Sequence, residues 1–254
     1  MRNNLFAITL LALSLNSVST YAQYPTHHSG YLKKEPKVKK FYVGGEIDAI
    51  FSTATIHHDA GILAVNSTSP QSVNTLGIIR FTGTNIGATF NFNFSHHIGL
   101  YTGIDIKNIG YVEQDNGYTL KRRVYNVGVP LGLKIGNMAS DKGYFFLGGG
   151  LDAPINYNEK YYHDRDNKKR INEWFSDRTP SLMPYAFLGA TFSQGVTVKA
   201  QYYPNNFLNT NYTDNSGYMP YKGTDVNLVL LSIGFRIGFS TGNYAPTKEY
   251  KSNW

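Results

Sequence analysis

The chain of 254 residues contains no cysteine and only two tryptophans. The lack of cysteine excludes disulfide bonds and also excludes anchoring through a lipidated cysteine. After the N-terminal region there is no apolar run of about 20 residues, the length that a transmembrane helix requires. The folded state must therefore be stabilised by burial of side chains within the protein or by contact with lipid.

The N-terminus has the form of a secretory signal peptide. Arg2 precedes an apolar stretch over residues 5–15, and small residues stand at positions −3 and −1 of a cleavage site between Ala22 and Gln23. This stretch is too short to span a bilayer as a helix. We therefore expect that residues 1–22 are removed on export and that residues 23–40 form a flexible, basic periplasmic lead-in.

The aromatic and glycine content is high, with 20 tyrosines, 15 phenylalanines and 25 glycines. This composition is typical of β proteins with aromatic girdles and closely packed walls. The net charge of +7 favours acidic partners such as lipid phosphates only weakly, and we predict no nucleic-acid partner. The negative mean hydropathy is compatible with a membrane barrel, because half of each strand then faces a polar lumen.

A period of two residues is clearest in the segment GATFNFNF. Phe90, Phe92 and Phe94 fall on one face of the predicted strand, and Asn91 and Asn93 fall on the other. A soluble sheet would turn the phenylalanines inward, whereas a membrane barrel would turn them outward to lipid. Eight segments are predicted as strands: 41–51, 85–94, 98–107, 125–136, 144–155, 182–192, 196–203 and 231–239. The segment 182–192 is apolar on both faces and has no predicted orientation.

The connections between these strands alternate between long and short. This alternation is the pattern of outer-membrane barrels, which have long outer loops and short periplasmic turns. The predicted long connections are 52–76, 108–121, 156–181 and 204–224, and the short ones are 95–97, 137–143 and 193–195.

Charged residues fall on one face of the predicted strands, and the opposite face is nearly free of charge over the central span. Lipid-facing Lys or Arg costs about 2–4 kcal/mol at the bilayer midplane, so the charge-free face that carries Phe90 and Phe92 is predicted to meet lipid. We therefore predict an all-β, antiparallel, up-and-down transmembrane β-barrel of eight strands over residues 41–239, with a plugged lumen. The predicted lumen charge network comprises Glu46, Asp48, Asp105, Lys107, Lys134, Asp152, Lys199 and Arg236.

Four segments resemble the PorT-like family of small outer-membrane β-barrels: VGVPLGLKIG, YFFLGGGLDAPINY, VTVKAQYYPNNFLN and LSIGFRIGF. The resemblance covers roughly residues 41–239, and its most specific features are the run from Pro130 to Ile135 and the glycines at 148–150. It implies an exported barrel of a Gram-negative envelope but says little about activity. Such barrels often end on the aromatic residue of the last strand, whereas here a polar tail, residues 240–254, follows Phe239.

Histidine and carboxylate residues in the predicted loops are the candidates for chemistry, but we interpret them as solvated. We find no G-x-S-x-G motif and no His-x-Ser pair at a strand end, and we predict no enzyme, catalytic residue, metal or cofactor. Two alternatives stay open: a soluble periplasmic lipocalin-like barrel with its phenylalanines around an apolar ligand, and an outer-membrane lipid-modifying hydrolase. The residues considered were His57, His58, Asp59, His96, His97, His163, Asp164 and Asp166.

The connection 156–181 is the longest and most charged. Aromatic residues beside arginine are typical of binding hot spots, and binding often resides on loops that a rigid scaffold supports. We therefore expect a non-enzymatic envelope protein with a structural, adhesion or secretion-accessory role. Its expected partners are outer-membrane lipid and an extracellular or envelope protein, and the candidate contact residues are Tyr161, Tyr162, Trp174, Phe175 and Arg178.

Overall fold

The computed structural model describes residues 38–58, 73–76, 79–115, 118–138, 143–163, 167–192 and 195–239. The predicted signal peptide, most of the predicted lead-in and the tail 240–254 lie outside these ranges. Ten strands are present within them: β1 (Phe41–His58), β2 (Val73–Leu76), β3 (Arg80–Asn93), β4 (Ile98–Asp115), β5 (Tyr118–Gly136), β6 (Gly143–His163), β7 (Asn167–Trp174), β8 (Met183–Phe192), β9 (Val196–Tyr203) and β10 (Thr224–Phe239).

Eight of these strands form a closed antiparallel ring in the order β1, β3, β4, β5, β6, β8, β9 and β10. The ring closes where β1 pairs with β10, from Val43 opposite Phe239 to His58 opposite Thr224. The two short strands lie off the ring, because β2 adds to the end of β1 and β7 adds to the end of β6. The predicted fold class, an antiparallel up-and-down barrel of eight strands, is confirmed.

The side chains of β3 alternate between the outside and the inside of the barrel, as predicted. Phe90 and Phe92 are exposed on the outside of β3, whereas Asn91 and Asn93 are buried inside the barrel. The strand that the sequence left unoriented, β8, points Met183, Tyr185 and Phe187 inward. Its outward residues are also apolar, which explains why periodicity alone did not orient it.

An uncharged apolar band surrounds the outside of the ring. On β5 it extends from Tyr125 to Ile135, and the outward side chain of Leu131 near its middle is 60% exposed. At about 3.3 Å per residue, this stretch covers about 33 Å along the strand, or about 25 Å along the barrel axis at a tilt of about 40°. Such a height matches the hydrocarbon-facing band of a membrane barrel.

The two ends of the barrel differ in their connections. At one end, which we call the turn end, Ser95 Oγ accepts hydrogen bonds of 3.1 Å from the backbone N–H groups of His97 and Ile98. Gly195, also at the turn end, has a φ of 83°, and a Cβ there would overlap the carbonyl oxygen of Arg236. The opposite end, which we call the loop end, carries the longer connections.

The strands extend further at the loop end than the sequence predicted. The segment 108–121 is mostly strand, since β4 and β5 pair as far as Asp115 opposite Tyr118. The segment 156–181 is likewise a hairpin for most of its length, formed by the end of β6 and by β7. The prediction of loops was wrong here because charged and apolar side chains share the inner face of these outer strand ends, as Glu113 does with Ile109 and Tyr111 on β4.

The connection 204–223 folds back towards the barrel axis. Phe207, Leu208 and Tyr221 are buried, and the ring of Phe207 meets that of Tyr111 edge-on at 5.5 Å between centroids. Apolar residues of this connection therefore cover the loop end of the lumen. Within the described ranges, no helix has both the length and the apolar character needed to cross a membrane.

Candidate functional site

The first charged cluster of the lumen joins β1, β9 and β10. Lys199 Nζ forms ion pairs with Glu46 and with Asp48, the latter at 2.9 Å from Oδ2. Arg236 Nε lies 2.7 Å from the other oxygen of Glu46. Asn85 Nδ2 donates to both carboxylates at 3.1 Å. The cluster thus balances two carboxylates with two cations inside the barrel.

The second cluster lies between β4 and β6. Lys107 Nζ is 3.3 Å from Asp105 Oδ1 and 3.0 Å from Asp152 Oδ1. The hydroxyl of Tyr203 donates to Asp152 Oδ2 at 2.6 Å, and Asn126 Nδ2 donates to the same oxygen at 3.3 Å. Asp105 and Asp152 share Lys107 as their one cation in this cluster. The donors Tyr203 and Asn126 compensate in part for the second negative charge.

Lys134 lies apart from both clusters, and no carboxylate of the described residues pairs with it. Its ammonium donates to Asn91 Oδ1 at 3.1 Å and to the Tyr42 hydroxyl at 3.4 Å. It also lies over the rings of Tyr42 and Tyr144, at 5.0 and 5.5 Å from their centroids. All eight charged residues assigned to the lumen therefore lie inside the barrel, where seven form two clusters and one is held by aromatic and amide groups.

Aromatic rings fill the space beside the charged clusters. Tyr101 packs against Phe146 and Phe187, with centroids 5.9 Å apart in each pair. Glycine makes this packing feasible, because a Cβ at Gly132 would overlap the Tyr101 ring and one at Gly150 would overlap the Tyr185 ring. The glycines of β5 and β6 therefore provide room for the large side chains that fill the lumen.

One cavity among the charged side chains of the lumen is small. A cavity lined by residues that include Glu46, Tyr101, Asp105 and Lys199 has a volume of about 10 Å³, which is about the room for one water molecule. An eight-stranded barrel is only wide enough for its side chains to fill. The plugged lumen stays a prediction, and the packing of the side chains described above is the reason to test it.

Purified protein in planar lipid bilayers should show no stable open channel, because charged and aromatic side chains fill the lumen. Single-channel recording over a range of voltages tests this expectation. A long-lived conductance that is reproducible between preparations would contradict it.

A polar and aromatic network lies at the loop end. Arg178 Nε and Nη2 donate to the two carboxylate oxygens of Glu173 at 2.9 and 3.1 Å, and Nη1 donates to the Tyr221 hydroxyl at 3.0 Å. The guanidinium also lies over the Tyr212 ring at 4.6 Å. The backbone N–H of Asn209 donates to the carbonyl of Arg178, which ties the connection 204–223 to the residues after β7.

The Arg178–Glu173 pair is charged at neutral pH. The hydrogen bonds from Arg178 hold the pKa of Glu173 below its usual value, and a hydrogen bond from Ser176 adds to this effect against partial burial. Burial opposes the charge on Arg178, but Glu173 and Tyr221 outweigh it and raise the Arg178 pKa. This ion pair therefore anchors the connection 204–223 through the Arg178–Tyr221 hydrogen bond.

A second arginine network lies next to the first. Arg122 Nε pairs with Glu159 Oε2 at 2.8 Å, and its Nη1 donates to the Tyr111 hydroxyl at 2.8 Å. The hydroxyl of Tyr157 donates to the same Glu159 oxygen at 2.6 Å. Sequence reasoning missed these residues because they lie in predicted connections or at their edges. The continued alternation through Tyr157 and Glu159 was the signal that could have found them.

The five predicted contact residues occupy different environments. Tyr161 and Tyr162 are half-buried near the tip of the β6–β7 hairpin, whereas Trp174 and Phe175 are 68% and 77% exposed at its base. Only 13% of the Arg178 side chain is exposed, because it is held by Glu173 and Tyr221. Direct contact of a partner with Arg178, as the sequence suggested, does not fit this pairing.

The base of the hairpin lies at the edge of the apolar band. Trp174 pairs across the ladder with Asn156, which also pairs with Tyr125, the last exposed aromatic of the band on β5. Phe175 has a positive φ of 51°, and its N–H donates to the carbonyl of Ile155 at 2.9 Å. A non-glycine residue rarely adopts this conformation. The exposed Phe175 ring is therefore held at the edge of the apolar band although its backbone conformation is unfavourable.

The candidates for chemistry do not converge within the described residues. His57 is opposite Asp225 on the outward side of β1 and β10, while His96 and His97 are exposed in the turn after β3. No group of three or more histidine or carboxylate side chains is placed to hold a metal ion in the described part of the chain. His163, Asp59, Asp164 and Asp166 lie where their side chains are not described.

No family model and no curated protein matches the chain. Among solved structures, Ail, the attachment invasion locus protein of Yersinia pestis, is 12% identical, with coverage of 77% of this chain and 99% of Ail at a TM-score of 0.34. The outer membrane protein OprG from Pseudomonas aeruginosa is 12% identical, with 81% and 98% coverage and a TM-score of 0.34. The outer membrane protease OmpT from Escherichia coli is 9% identical, with 80% and 98% coverage and a TM-score of 0.28. At these values the assignment as a barrel rests on the strand register of this chain.

Proposed function

We propose that the protein is a non-enzymatic, closed β-barrel of the bacterial outer membrane that presents hairpins at its loop end to an envelope or extracellular protein. The observation that carries this proposal is the uncharged apolar band around a ring with a charged interior. A soluble monomer rarely exposes a contiguous apolar patch larger than a few hundred Å². Hydrocarbon around the band removes this apolar surface from water.

The same geometry argues against the soluble lipocalin-like alternative. That alternative requires Phe90 and Phe92 to line an apolar cavity, but both rings lie outside the barrel. The interior holds ion pairs and packed aromatic rings and leaves about 10 Å³ in the cavity beside Glu46. Within the described residues, no arrangement of side chains favours the hydrolase alternative either.

Membership of the PorT-like family is part of the proposal. It is supported by the pairing of the two most specific segments of the resemblance, since Pro130 lies opposite Gly150 and Gly132 lies opposite Gly148 in the β5–β6 ladder. The glycines there admit the rings of Phe187 and Tyr185. Both segments thus serve one structural purpose, which is the packing of the lumen.

We assign the predicted contact residues to two roles. Trp174 and Phe175 lie at the edge of the apolar band, the depth at which aromatic residues anchor proteins in membrane interfaces. Tyr161 and Tyr162 lie nearer the tip of the hairpin, where a partner outside the membrane can reach them. Arg178 acts from within, by fixing the base of the hairpin to the connection 204–223.

Shortening the β6–β7 hairpin tests the role in partner contact. Lys160 and Arg170 are directly opposite in the ladder, so an Asn-Gly turn can replace residues 161–169 without a change of register. The ion pairs Arg122–Glu159 and Arg178–Glu173 remain in this variant. We expect it to fold, as heat-modifiable gel mobility would report, but to fail to restore the phenotype of a strain that lacks the gene.

A matched variant controls for the loss of a hairpin tip. Replacing residues 115–118 of the β4–β5 hairpin by Asn-Gly joins Gln114 to Thr119, which are also directly opposite, and should leave the phenotype restored. Trypsin added to intact cells should cut the wild-type chain at residues 168–170. If the β6–β7 variant complements fully, this hairpin is only a spacer and the proposed role is wrong.

A further inference from the structure

A cationic row crosses the hairpin region outside the barrel. The ladder places Lys121 opposite Lys160, and Lys160 opposite Arg170, so three positive charges lie side by side on β5, β6 and β7. These residues face away from the barrel axis, because the alternate residues Arg122 and Glu159 form their ion pair on the inner face. We call Lys121, Lys160 and Arg170, together with Arg123, which lies two residues closer to the band on β5, the basic face.

The basic face lacks negative charge. The outward positions of these three strands beyond Tyr125 are basic, amide, hydroxyl or aromatic, whereas Glu159 and Glu173 lie on the inner face. No described carboxylate pairs with any residue of the basic face, and the buried Arg123 Nε has no hydrogen-bond partner among the described residues. Like charges directly opposite each other destabilise a sheet. An anion bound there would remove this repulsion.

The height of the basic face identifies the source of the anion. Tyr125 marks the edge of the apolar band, and Arg123 and Lys121 follow it on the same face of β5. Four residues cover about 13 Å of strand, or about 10 Å along the axis at the usual tilt. The polar headgroup layer begins where the hydrocarbon ends and is about 5–8 Å thick on each side of a bilayer. Flexible Lys and Arg side chains can reach into this layer.

We propose that the basic face binds the phosphate-bearing headgroups of the lipid leaflet at the loop end of the barrel. This inference rests on the proposed function, since it requires the apolar band to lie in a membrane. Lys121, Lys160 and Arg170 supply the charge across three strands, and Arg123 supplies a guanidinium at the boundary with the hydrocarbon. Trp174 and Phe175 flank the face at the same edge of the band.

The test compares two variants that each lose two positive charges. Lys160→Gln/Arg170→Gln removes two charges from the basic face. The control, Lys169→Gln/Lys222→Gln, removes one charge from the opposite face of β7 and one from the connection 204–223. Wild type and both variants are folded into vesicles of phosphatidylcholine alone and of an equal mixture with phosphatidylglycerol, and the urea midpoint of unfolding is measured for each.

We expect the anionic lipid to raise the midpoint of the wild type and of the control, and to raise that of Lys160→Gln/Arg170→Gln by less than half as much. In phosphatidylcholine alone this variant should be at least as stable as the wild type, because like-charge repulsion is relieved. The rise in the urea midpoint that anionic lipid gives the wild type should be smaller at high salt, because salt screens the charges. Inorganic phosphate added to phosphatidylcholine vesicles should not reproduce it; if it does, the site binds free phosphate and the proposal is overturned.

Heat-modifiable gel mobility of the same samples separates two kinds of failure. If the chains insert and anionic lipid stabilises both variants equally, the headgroup site is wrong while the membrane barrel stands. If the wild-type chain does not insert into either vesicle, the proposed function fails and the headgroup site fails with it.

Discussion

Replacing Lys199 by methionine should lower the free energy of unfolding by about 3–5 kcal/mol, the usual cost of removing one partner from a buried ion pair. The ammonium of Lys199 bridges Glu46 and Asp48. Arg236 would still pair with Glu46, but Asp48 would keep only the amide of Asn85. Reversible urea unfolding of the barrel in lipid vesicles measures the change.

Two variants control this prediction. The double variant Asp48→Asn/Lys199→Met restores the charge balance of the cluster, and we expect it to recover most of the lost stability. Lys134→Met should cost less than Lys199→Met, because no described carboxylate is left unpaired by it. A loss in the double variant as large as that in Lys199→Met would show that the side-chain volume of Lys199 matters rather than its charge.

Except in β8, the two faces of each ring strand were predictable from the sequence, because the side-chain period of a strand is fixed by its backbone. Alternation put Asn91 and Phe92 on opposite faces, and the absence of charge on the phenylalanine face then placed Asn91 and the eight charged residues in the lumen. The pairing of these charges was not predictable. Lys199 and Glu46 are 153 positions apart, and they meet only because β1 closes the ring against β10, which also pairs with β9.

The outer ends of the strands were missed for a physical reason. Strand prediction relied on an apolar face, and the β6–β7 hairpin has none, because one face carries Glu159 and Glu173 and the other carries Lys160 and Arg170. Its stability comes from backbone pairing and from the two arginine networks. A test for alternation of charge rather than of hydropathy would have extended β6.

The closure of the loop end also could not be predicted from the sequence. Phe207 and Tyr221 lie in a connection that is polar overall, and its composition is typical of a solvated loop. Tertiary contacts decide their position, because Arg178 binds the hydroxyl of Tyr221 and Phe207 packs on Tyr111. The residues that cover the lumen are therefore held in place by contacts with residues that are distant in the sequence.

Replacing Leu131 by lysine should lower the free energy of unfolding by about 2–4 kcal/mol in a bilayer, because this is the cost of a lipid-facing Lys at the midplane of a β-barrel. The same substitution at Ile135, on the same strand and face, should cost only about 0–1 kcal/mol, because that residue lies near the edge of the band. Both side chains are exposed, so neither substitution disturbs the interior. In a water-soluble barrel, lysine would be tolerated equally well at both positions.

The difference between these two variants tests most directly whether the outside of the barrel faces hydrocarbon. Unfolding of wild type, Leu131→Lys and Ile135→Lys in phosphatidylcholine vesicles gives both costs under identical conditions. If the band faces hydrocarbon, Leu131→Lys should cost more than Ile135→Lys by about 2 kcal/mol or more. Equal costs at the two positions, or a protein that stays folded in solution without lipid, would contradict it.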